Sequence, residues 1–126
     1  LAYRADLITE ELPTRLTLAQ ALAAEGLDSA GWRAVGRCVG MLHSHGVRHA
    51  DLNAHNLLLG AAGAVYVLDF DRGRIEPRGD WEQRVIERLH RSLEKVSRDM
   101  PAGRFDEAQW DEFLQGVAAC APSTSC

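Results

Sequence analysis

The segments HADLNAHNLLL, residues 49–59, and VYVLDFDRGRI, residues 65–75, decide the fold. Each contains a short apolar run, and the glycine-containing stretch GAAGA lies between the two runs, which predicts two strands joined in a hairpin. A hairpin brings the residues before its first strand beside those after its second. We therefore expect Asp51, Asn56 and Asp69 to converge, although eighteen positions separate the first from the last.

Helical patterns flank this hairpin on both sides. The expected helices run from about 17 to 26, 28 to 46, 80 to 98 and 106 to 119. Thr17, Asp80 and either Asp28 or Ser29 are typical helix N-caps, and Gly26 and Gly46 are typical stops. Apolar residues recur at helical spacing in Trp32, Val35, Val39 and Leu42, which lie on one face. In the last helix we expect Trp110, Phe113, Leu114 and Val117 to face inward. The pattern predicts a fold that is mainly α with a small β hairpin (α+β).

Length and composition limit the class of protein. The 126 residues suffice for one domain, and 46% hydrophobic with 25% charged residues is typical of a globular protein. A net charge of −4 argues against a nucleic-acid partner. The three cysteines lack a C-x-x-C spacing, so we expect reduced thiols. No charged-then-apolar leader precedes Leu1, so no signal peptide is expected.

The residues around the hairpin have the chemistry that phosphoryl transfer needs. Mg²⁺ prefers oxygen ligands, which Asn56 and Asp69 can supply. The carboxylate of Asp51 can accept the proton of an attacking hydroxyl and orient it. His49 is expected to support the loop through hydrogen bonds. The alternative is that these carboxylates and the amide only cap local turns.

The pattern H-x-D-x-x-x-x-N at residues 49–56, with Asp-Phe after the hairpin, resembles the protein-kinase-like superfamily. The segments HADLNAHNLLL and VYVLDFDRGRI are similar to the corresponding segments of the lipopolysaccharide kinases, most closely of those that act on 3-deoxy-D-manno-octulosonic acid (Kdo). The stretches ADLITEELP and TLAQAL are similar to the hinge and following helix of that family. The resemblance implies that Asp51 is the catalytic base and that Asn56 and Asp69 bind magnesium.

The resemblance also implies how the chain is organised. It implies the C-terminal lobe of a protein-kinase-like fold over residues 1–126, with the N-terminal lobe largely missing. Residues 1–12 would be the last strand of that lobe and the hinge, and residues 43–75 the catalytic and metal-binding loops. The adenine of ATP would lie against Glu10, Glu11 and Leu12. No G-x-G-x-x-G occurs, and the only lysine is Lys95, so we expect little activity from this chain alone.

The function implied by the resemblance is ATP-dependent phosphorylation of the Kdo sugar of Kdo-lipid A, an anionic glycolipid, in lipopolysaccharide core assembly. It implies a peripheral position at the cytoplasmic face of the bacterial inner membrane. Asn53 stands where protein kinases usually have Lys, and Asp71 where most have Gly, which favours a sugar or other small-molecule acceptor. The alternatives are a heptose or aminoglycoside-type kinase and a truncated, non-catalytic binding module.

Basic residues follow the candidate site. Arg72 and Arg74 are expected either to bind the acceptor's carboxylate or phosphates, or to balance Asp69 and Asp71. Asp71 itself is expected to contact metal or substrate, or to bond the loop. One stripe of the third helix is basic: Arg84, Arg88, Arg91, Lys95 and Arg98. The stripe predicts either a solvated face or peripheral contact with an anionic membrane.

Overall fold

A computed structural model of the chain describes residues 15–68 and 73–120. The helices are α1 (Leu18–Ala24), α2 (Ser29–Ser44), α3 (Trp81–Ser97) and α4 (Glu107–Ala118). The strands are β1 (Leu16–Thr17), β2 (Val47–His49), β3 (Leu57–Leu59), β4 (Val65–Val67) and β5 (Gly73–Ile75). The prediction of a mainly helical fold with little β structure is confirmed. Within the described ranges, no helix is long and apolar enough to cross a bilayer.

The helices begin and end where local chemistry predicts. The backbone N–H of Gln20 donates to the Thr17 hydroxyl, and the Gln20 side chain accepts from the Thr17 N–H, which forms a capping box. The carboxylate of Asp28 accepts from the Gly31 N–H at 2.8 Å. Asp80 precedes α3 as predicted but makes no side-chain capping bond. Gly46 ends α2 with φ of +74°, a left-handed conformation that suits glycine.

The hairpin is confirmed, but it belongs to a larger β structure than the sequence predicted. Strands β3 and β4 pair antiparallel, and β1 pairs with the other edge of β3. Strands β2 and β5 form a separate antiparallel ribbon in which His49 lies opposite Gly73. The β2–β5 ribbon is not predicted by the sequence pattern, because residues 47–56 are polar and show no clear period. Three-residue strands whose partners lie far along the chain leave too short an alternation to detect.

The core is built from the predicted apolar faces of the helices. Its buried residues on α2 and α3 include Trp32, Val35, Val39, Leu42, Trp81, Val85, Leu89 and Leu93. On α4, Phe113 is fully buried, whereas Leu114 is 38% exposed, so the inward placement predicted for Leu114 is wrong. The cysteine prediction is also only partly correct. Cys38 is a free thiol in the core, but Cys120 is disulfide-bonded.

Helices α2 and α4 touch backbone to backbone. A Cβ atom placed on Gly36 would lie 2.0 Å from the carbonyl oxygen of Phe113. A Cβ atom placed on Gly116 would lie 2.2 Å from the carbonyl oxygen of Arg33. Contacts this short are impossible for carbon and oxygen, so the crossing requires glycine on both helices. The crossing also explains why Leu114 is exposed, because the α4 face that meets α2 is the face that carries Phe113 and Gly116.

We expect the substitution Gly36→Ala to destabilise the fold. Alanine favours an isolated helix by about 1 kcal/mol, but overpacking costs about 1–3 kcal/mol or more because backbone must move. The net loss is measured as the free energy of unfolding in urea. Gly79→Ala is the control, since its added methyl would meet only the Trp81 ring at an ordinary 3.7 Å. A Gly36→Ala protein as stable as that control would contradict the close crossing.

One histidine of α2 is buried as a neutral base. His43 lies at the C-terminal end of the helix, and its ring packs edge-on against Trp81 with centroids 5.0 Å apart. Burial lowers the pKa of His43 from its usual 6.5 to about 4; nearby Glu82 opposes this shift and Arg78 adds to it. The folded protein therefore keeps this ring uncharged at pH values where the unfolded chain protonates it.

Stability should consequently fall between pH 6.5 and pH 4. Because the pKa of His43 is lower in the folded state, the unfolded state takes up a proton first as pH falls, and acid favours unfolding. From pH 7 to pH 4.5 the difference is about 2 kcal/mol. Unfolding free energies at both pH values, for the unmodified protein and for His43→Gln, measure it. Equal pH dependence in the two proteins would refute this assignment.

Candidate functional site

The buried imidazole of His49 holds the start of the candidate loop. Its Nδ1 accepts a hydrogen bond from the Asp51 backbone N–H at 3.1 Å. The ring proton is therefore on Nε2, which donates to the carbonyl oxygen of Leu68 at 2.8 Å. The ring is 2% exposed and is not aimed at solvent. This is the arrangement expected of a residue that supports the loop rather than reacts.

The side chain of Asn56 closes the same loop from its other end. Its Nδ2 donates to the Asp51 carbonyl oxygen, and its Oδ1 accepts from the Asn53 N–H, both at 2.9 Å. Asn53 in turn donates from its own amide to the Asp51 carbonyl oxygen at 2.9 Å. The amide thus caps a local turn, as the alternative reading of the sequence proposed. A carbonyl oxygen has two lone pairs, so Oδ1 keeps one acceptor position beyond this bond.

Leu68, the residue that follows β4, is hydrogen-bonded to this loop through both its N–H and its carbonyl group. The Leu68 N–H donates to the Asn56 carbonyl oxygen at 2.9 Å, while the Leu68 carbonyl accepts from His49. On the other side of residues 69–72, Gly73 pairs with His49 in the β2–β5 ribbon. Both described neighbours of residues 69–72 therefore contact the loop that carries the Asp51 and Asn56 side chains.

Several predicted site residues lie outside the described residues: Glu10, Glu11, Leu12, Asp69, Asp71 and Arg72. The backbone of Arg74 is described and lies opposite Arg48 in the β2–β5 ribbon. The side chain of Arg74 is not among the described groups. Of the predicted magnesium ligands and base, the structure therefore brings together Asp51 and Asn56, and the place of Asp69 stays a prediction.

The carboxylate of Asp51 is the accessible group of the site. Its side chain is 59% exposed, whereas the neighbouring Leu52 is buried in the core. Its Oδ1 lies 3.7 Å from Nη1 of Arg88 on α3, which is an ion-pair distance longer than a hydrogen bond. The carboxylate therefore keeps acceptor positions for a hydroxyl group, and a cation stands beside it.

Two residues that hold the loop were not identified from the sequence. The hydroxyl of Ser92 on α3 accepts from the Ala54 N–H at 2.9 Å, and the Ala54 carbonyl accepts from the Ala19 N–H at 3.0 Å. Ala54 is fully buried. The alternation of apolar Leu52 and Ala54 with polar neighbours was a usable signal for this anchoring. Nothing in the sequence marks Ser92, which is one serine on a helix.

A cavity of about 260 Å³ opens beside Asp51, between the β2 end of the loop and α3. Its lining is Arg48, Ala50, Trp81, Arg84, Val85, Glu87, Arg88 and Arg91. A larger cavity of about 610 Å³ lies between the α1–α2 connection and the β3–β4 turn. The larger cavity is lined by none of the predicted site residues. The smaller one is lined by Ala50, the residue before Asp51, and by Arg88, whose Nη1 lies 3.7 Å from Asp51 Oδ1.

Of the two predicted magnesium ligands, Asn56 lies among the described residues and can supply one oxygen of the kind that nucleotide-bound magnesium uses. Across 15–68 and 73–120, no group of three or more His, Cys, Asp or Glu side chains is placed to hold a metal ion. Magnesium that is bound with a nucleotide commonly uses one or two protein oxygens, with phosphates and water as the other ligands. Asn56 offers one such oxygen, because its amide is oriented by the bond from Nδ2 to the Asp51 carbonyl.

Comparison with known proteins now identifies the family. The sequence profile of the lipopolysaccharide kinase (Kdo/WaaP) family matches residues 1–116. The chain belongs to that family. The kinase-like architecture of the family agrees with the mainly helical fold of this chain and its small antiparallel β structure.

Curated relatives in this lipopolysaccharide kinase family carry the name 3-deoxy-D-manno-octulosonic acid kinase. The chain is 37% identical over 95 residues to the one from Vibrio parahaemolyticus, covering 75% of this chain and 40% of that protein. It is 43% identical over 97 residues to the one from Xanthomonas axonopodis pv. citri, covering 76% and 39%. It is 40% identical over 95 residues to the one from Xylella fastidiosa, covering 75% and 38%. The chain spans about two fifths of the length of the curated relatives it matches.

We expect His49→Phe to destabilise the protein by about 2 kcal/mol or more. The substitution removes two part-buried hydrogen bonds, to the Leu68 carbonyl and from the Asp51 N–H, each of which contributes about 0.5–1.5 kcal/mol, and it places a larger ring in a buried site. His55→Phe in the same loop is the control, because His55 is exposed and surface changes usually stay within about 0.5 kcal/mol. The measurement is the free energy of unfolding in urea. Equal losses in the two variants would contradict the bonding described for His49.

Proposed function

We propose that the protein carrying this chain transfers phosphate from ATP to a hydroxyl of the Kdo sugar of Kdo-lipid A, during lipopolysaccharide assembly. Membership of the lipopolysaccharide kinase family and the names of its relatives support the reaction class and the acceptor. The structural observation that carries the proposal is the exposed Asp51 carboxylate on a loop fixed by His49 and Asn56. A binding module has no chemical need for that combination.

In the proposed reaction Asp51 acts as the base. The acceptor hydroxyl oxygen forms a bond to the γ-phosphorus of ATP while the bond from that phosphorus to the β,γ-bridging oxygen breaks. ADP leaves with the electron pair, and the hydroxyl proton passes to an oxygen of Asp51. The bonds to the backbone at Asp51 fix where its carboxylate starts, so the hydroxyl is oriented before it reacts.

We propose that Asn56 and Asp69 bind magnesium, and that Glu10, Glu11 and Leu12 lie against the adenine. When bound, Mg²⁺ neutralises negative charge on the phosphates in the transition state. Asn56 presents its oxygen because its nitrogen is held by the Asp51 carbonyl. This assignment makes Asn56 both a structural cap of the turn and a metal ligand, so the two readings of the sequence are compatible.

A glycolipid acceptor and ATP together favour work at the cytoplasmic face of the bacterial inner membrane, with peripheral attachment. The exposed basic residues of α3 and its end support such attachment: Arg84, Arg88, Arg91, Lys95 and Arg98. Each lysine or arginine close to an anionic bilayer is worth about 1 kcal/mol of attraction. This contact and this location are part of the proposal.

Asp51→Asn tests the proposed base. We expect the rate of Kdo phosphorylation to fall about 10²–10⁴-fold, because the amide cannot accept the hydroxyl proton. The change is best made in the gene that encodes this chain, with phosphorylated Kdo in extracted lipid measured by mass spectrometry and turnover measured in membrane extracts with Mg²⁺-ATP. Asp111→Asn, the same change at an exposed position of α4, is the control. Turnover within tenfold of the control would reject Asp51 as base.

The same extracts separate the rival acceptors. Kdo-lipid A, a heptosylated lipid and an aminoglycoside are offered with Mg²⁺-ATP, and we expect phosphate transfer to Kdo-lipid A. Transfer to one of the other two alone would move the protein to another branch of sugar or antibiotic kinases. Transfer to none of them would favour the non-catalytic module.

A further inference from the structure

We propose that Arg48, Arg84, Arg88 and Arg91 form a binding site for an oxyanion of the acceptor, a carboxylate or a phosphate ester, held beside Asp51. That the bound oxyanion belongs to the acceptor rests on the proposed function. That an oxyanion binds here is argued from the cavity itself. The four arginines line the cavity of about 260 Å³ next to the candidate base. The basic stripe on α3 does not show in the sequence what it faces. In the structure, three of its residues, Arg84, Arg88 and Arg91, line this cavity.

The cavity carries a positive charge that its lining does not neutralise. Four arginines and one glutamate, Glu87, give the lining a net charge of +3, and the two acids just outside the lining that pair with Arg48 and Arg88, Glu76 and Asp51, lower the local net charge to +1. Arg84 and Arg91 make no ion pair with any residue in the described part of the chain. Several guanidinium groups facing one concave surface repel one another, and an oxyanion relieves that repulsion. The arrangement is therefore typical of an anion site rather than of a charge-balanced surface.

Arg48 supplies a donor that the described residues leave unused. Its Nη1 bonds Glu76 at 3.0 Å, but its Nε is buried and has no hydrogen-bond partner among the described residues. Buried N–H groups are almost always paired, so this one indicates a missing acceptor. A guanidinium that turns to present Nε to a carboxylate or phosphate pairs this donor, and oxyanions with two oxygens match that fork.

Arg88 joins the anion site to the proposed chemistry. Its Nη1 lies 3.7 Å from Asp51 Oδ1, while the same side chain lines the cavity. An oxyanion bound to Arg88 and its neighbours therefore lies close to the carboxylate that would accept the hydroxyl proton. The cavity volume equals that of roughly nine water molecules at ~30 Å³ each, which suits one charged sugar substituent rather than a lipid chain. The site would select acceptors that carry an anionic group near the reacting hydroxyl.

Binding without turnover tests this site independently of the kinase reaction. The chain is titrated with free Kdo, glucosamine 1-phosphate, inorganic phosphate and a neutral methyl glucoside at constant ionic strength. The readouts are the intrinsic tryptophan fluorescence, to which Trp81 in the cavity lining contributes, and the arginine Nε–H signals in NMR spectra. We expect saturable binding of Kdo or of the sugar phosphate, a shift of the Arg48 Nε–H signal, and no response to the neutral sugar.

Two double variants separate the cavity from the general charge of α3. Arg84→Gln with Arg91→Gln removes two cavity cations, and we expect binding at least roughly tenfold weaker, since each arginine can form charge-assisted hydrogen bonds to the oxyanion. Lys95→Gln with Arg98→Gln removes the same charge outside the cavity and should leave binding unchanged. Asp51→Asn should strengthen binding, because it removes the carboxylate that competes for Arg88.

Each outcome of these titrations either supports or overturns the proposed anion site. Saturation by Kdo assigns the site to a carboxylate, and saturation by glucosamine 1-phosphate assigns it to a phosphate of the lipid headgroup; both support the site. Absence of saturable binding by either sugar, response to inorganic phosphate alone, or equal losses in the two double variants would overturn it. Because no ATP is present, binding with a failed phosphorylation assay rejects the proposed function alone, and phosphorylation without binding rejects the anion site alone.

Discussion

The hydrogen bond from His49 Nε2 to the Leu68 carbonyl oxygen is the contact on which the candidate site depends. One buried ring spans two segments nineteen positions apart and leaves no polar group of its own unpaired. It joins the loop that carries Asp51 to the end of the hairpin. It thereby fixes the position of the Asp51 backbone, from which the carboxylate extends.

Helix α3 unites the core with the site. Its buried face, which includes Val85, Leu89 and Leu93, packs into the helical core, and Ser92 holds the loop backbone at Ala54. Its basic side reaches the cavity and, through Arg88, the candidate base. The same helix therefore contributes apolar packing, a backbone anchor and positive charge, and the three are set in register by its 3.6-residue repeat.

Local signals made most of the helical fold predictable. The side chains of Thr17 and Asp28 form hydrogen bonds with backbone N–H groups three residues away. A short stretch of sequence is therefore enough to predict these caps. The hairpin was found because its turn and strands are adjacent. The β2–β5 ribbon was missed because its partners are distant, and the glycine contact of α2 and α4 was missed because Gly36 and Gly116 read as weak helix formers.

The candidate site was predictable in its residue types but not in its surroundings. The spacing of Asp51 and Asn56 indicated one loop, and the structure shows them bonded through the Asp51 carbonyl. A charge pattern ranks one helix face as basic but does not say what it faces, so the approach of Arg88 to Asp51 required three-dimensional packing. Arg48, alone between apolar and histidine neighbours, carried no pattern at all.

The rotational setting of α3 has an evolutionary consequence. The guanidinium groups of its basic side are positioned by apolar residues on the opposite side of the same rigid rod. A substitution deep in the interior that turns the rod by a few degrees would therefore redirect several cations at once. Under the proposed function, acceptor preference can drift through replacements that never touch the bound molecule.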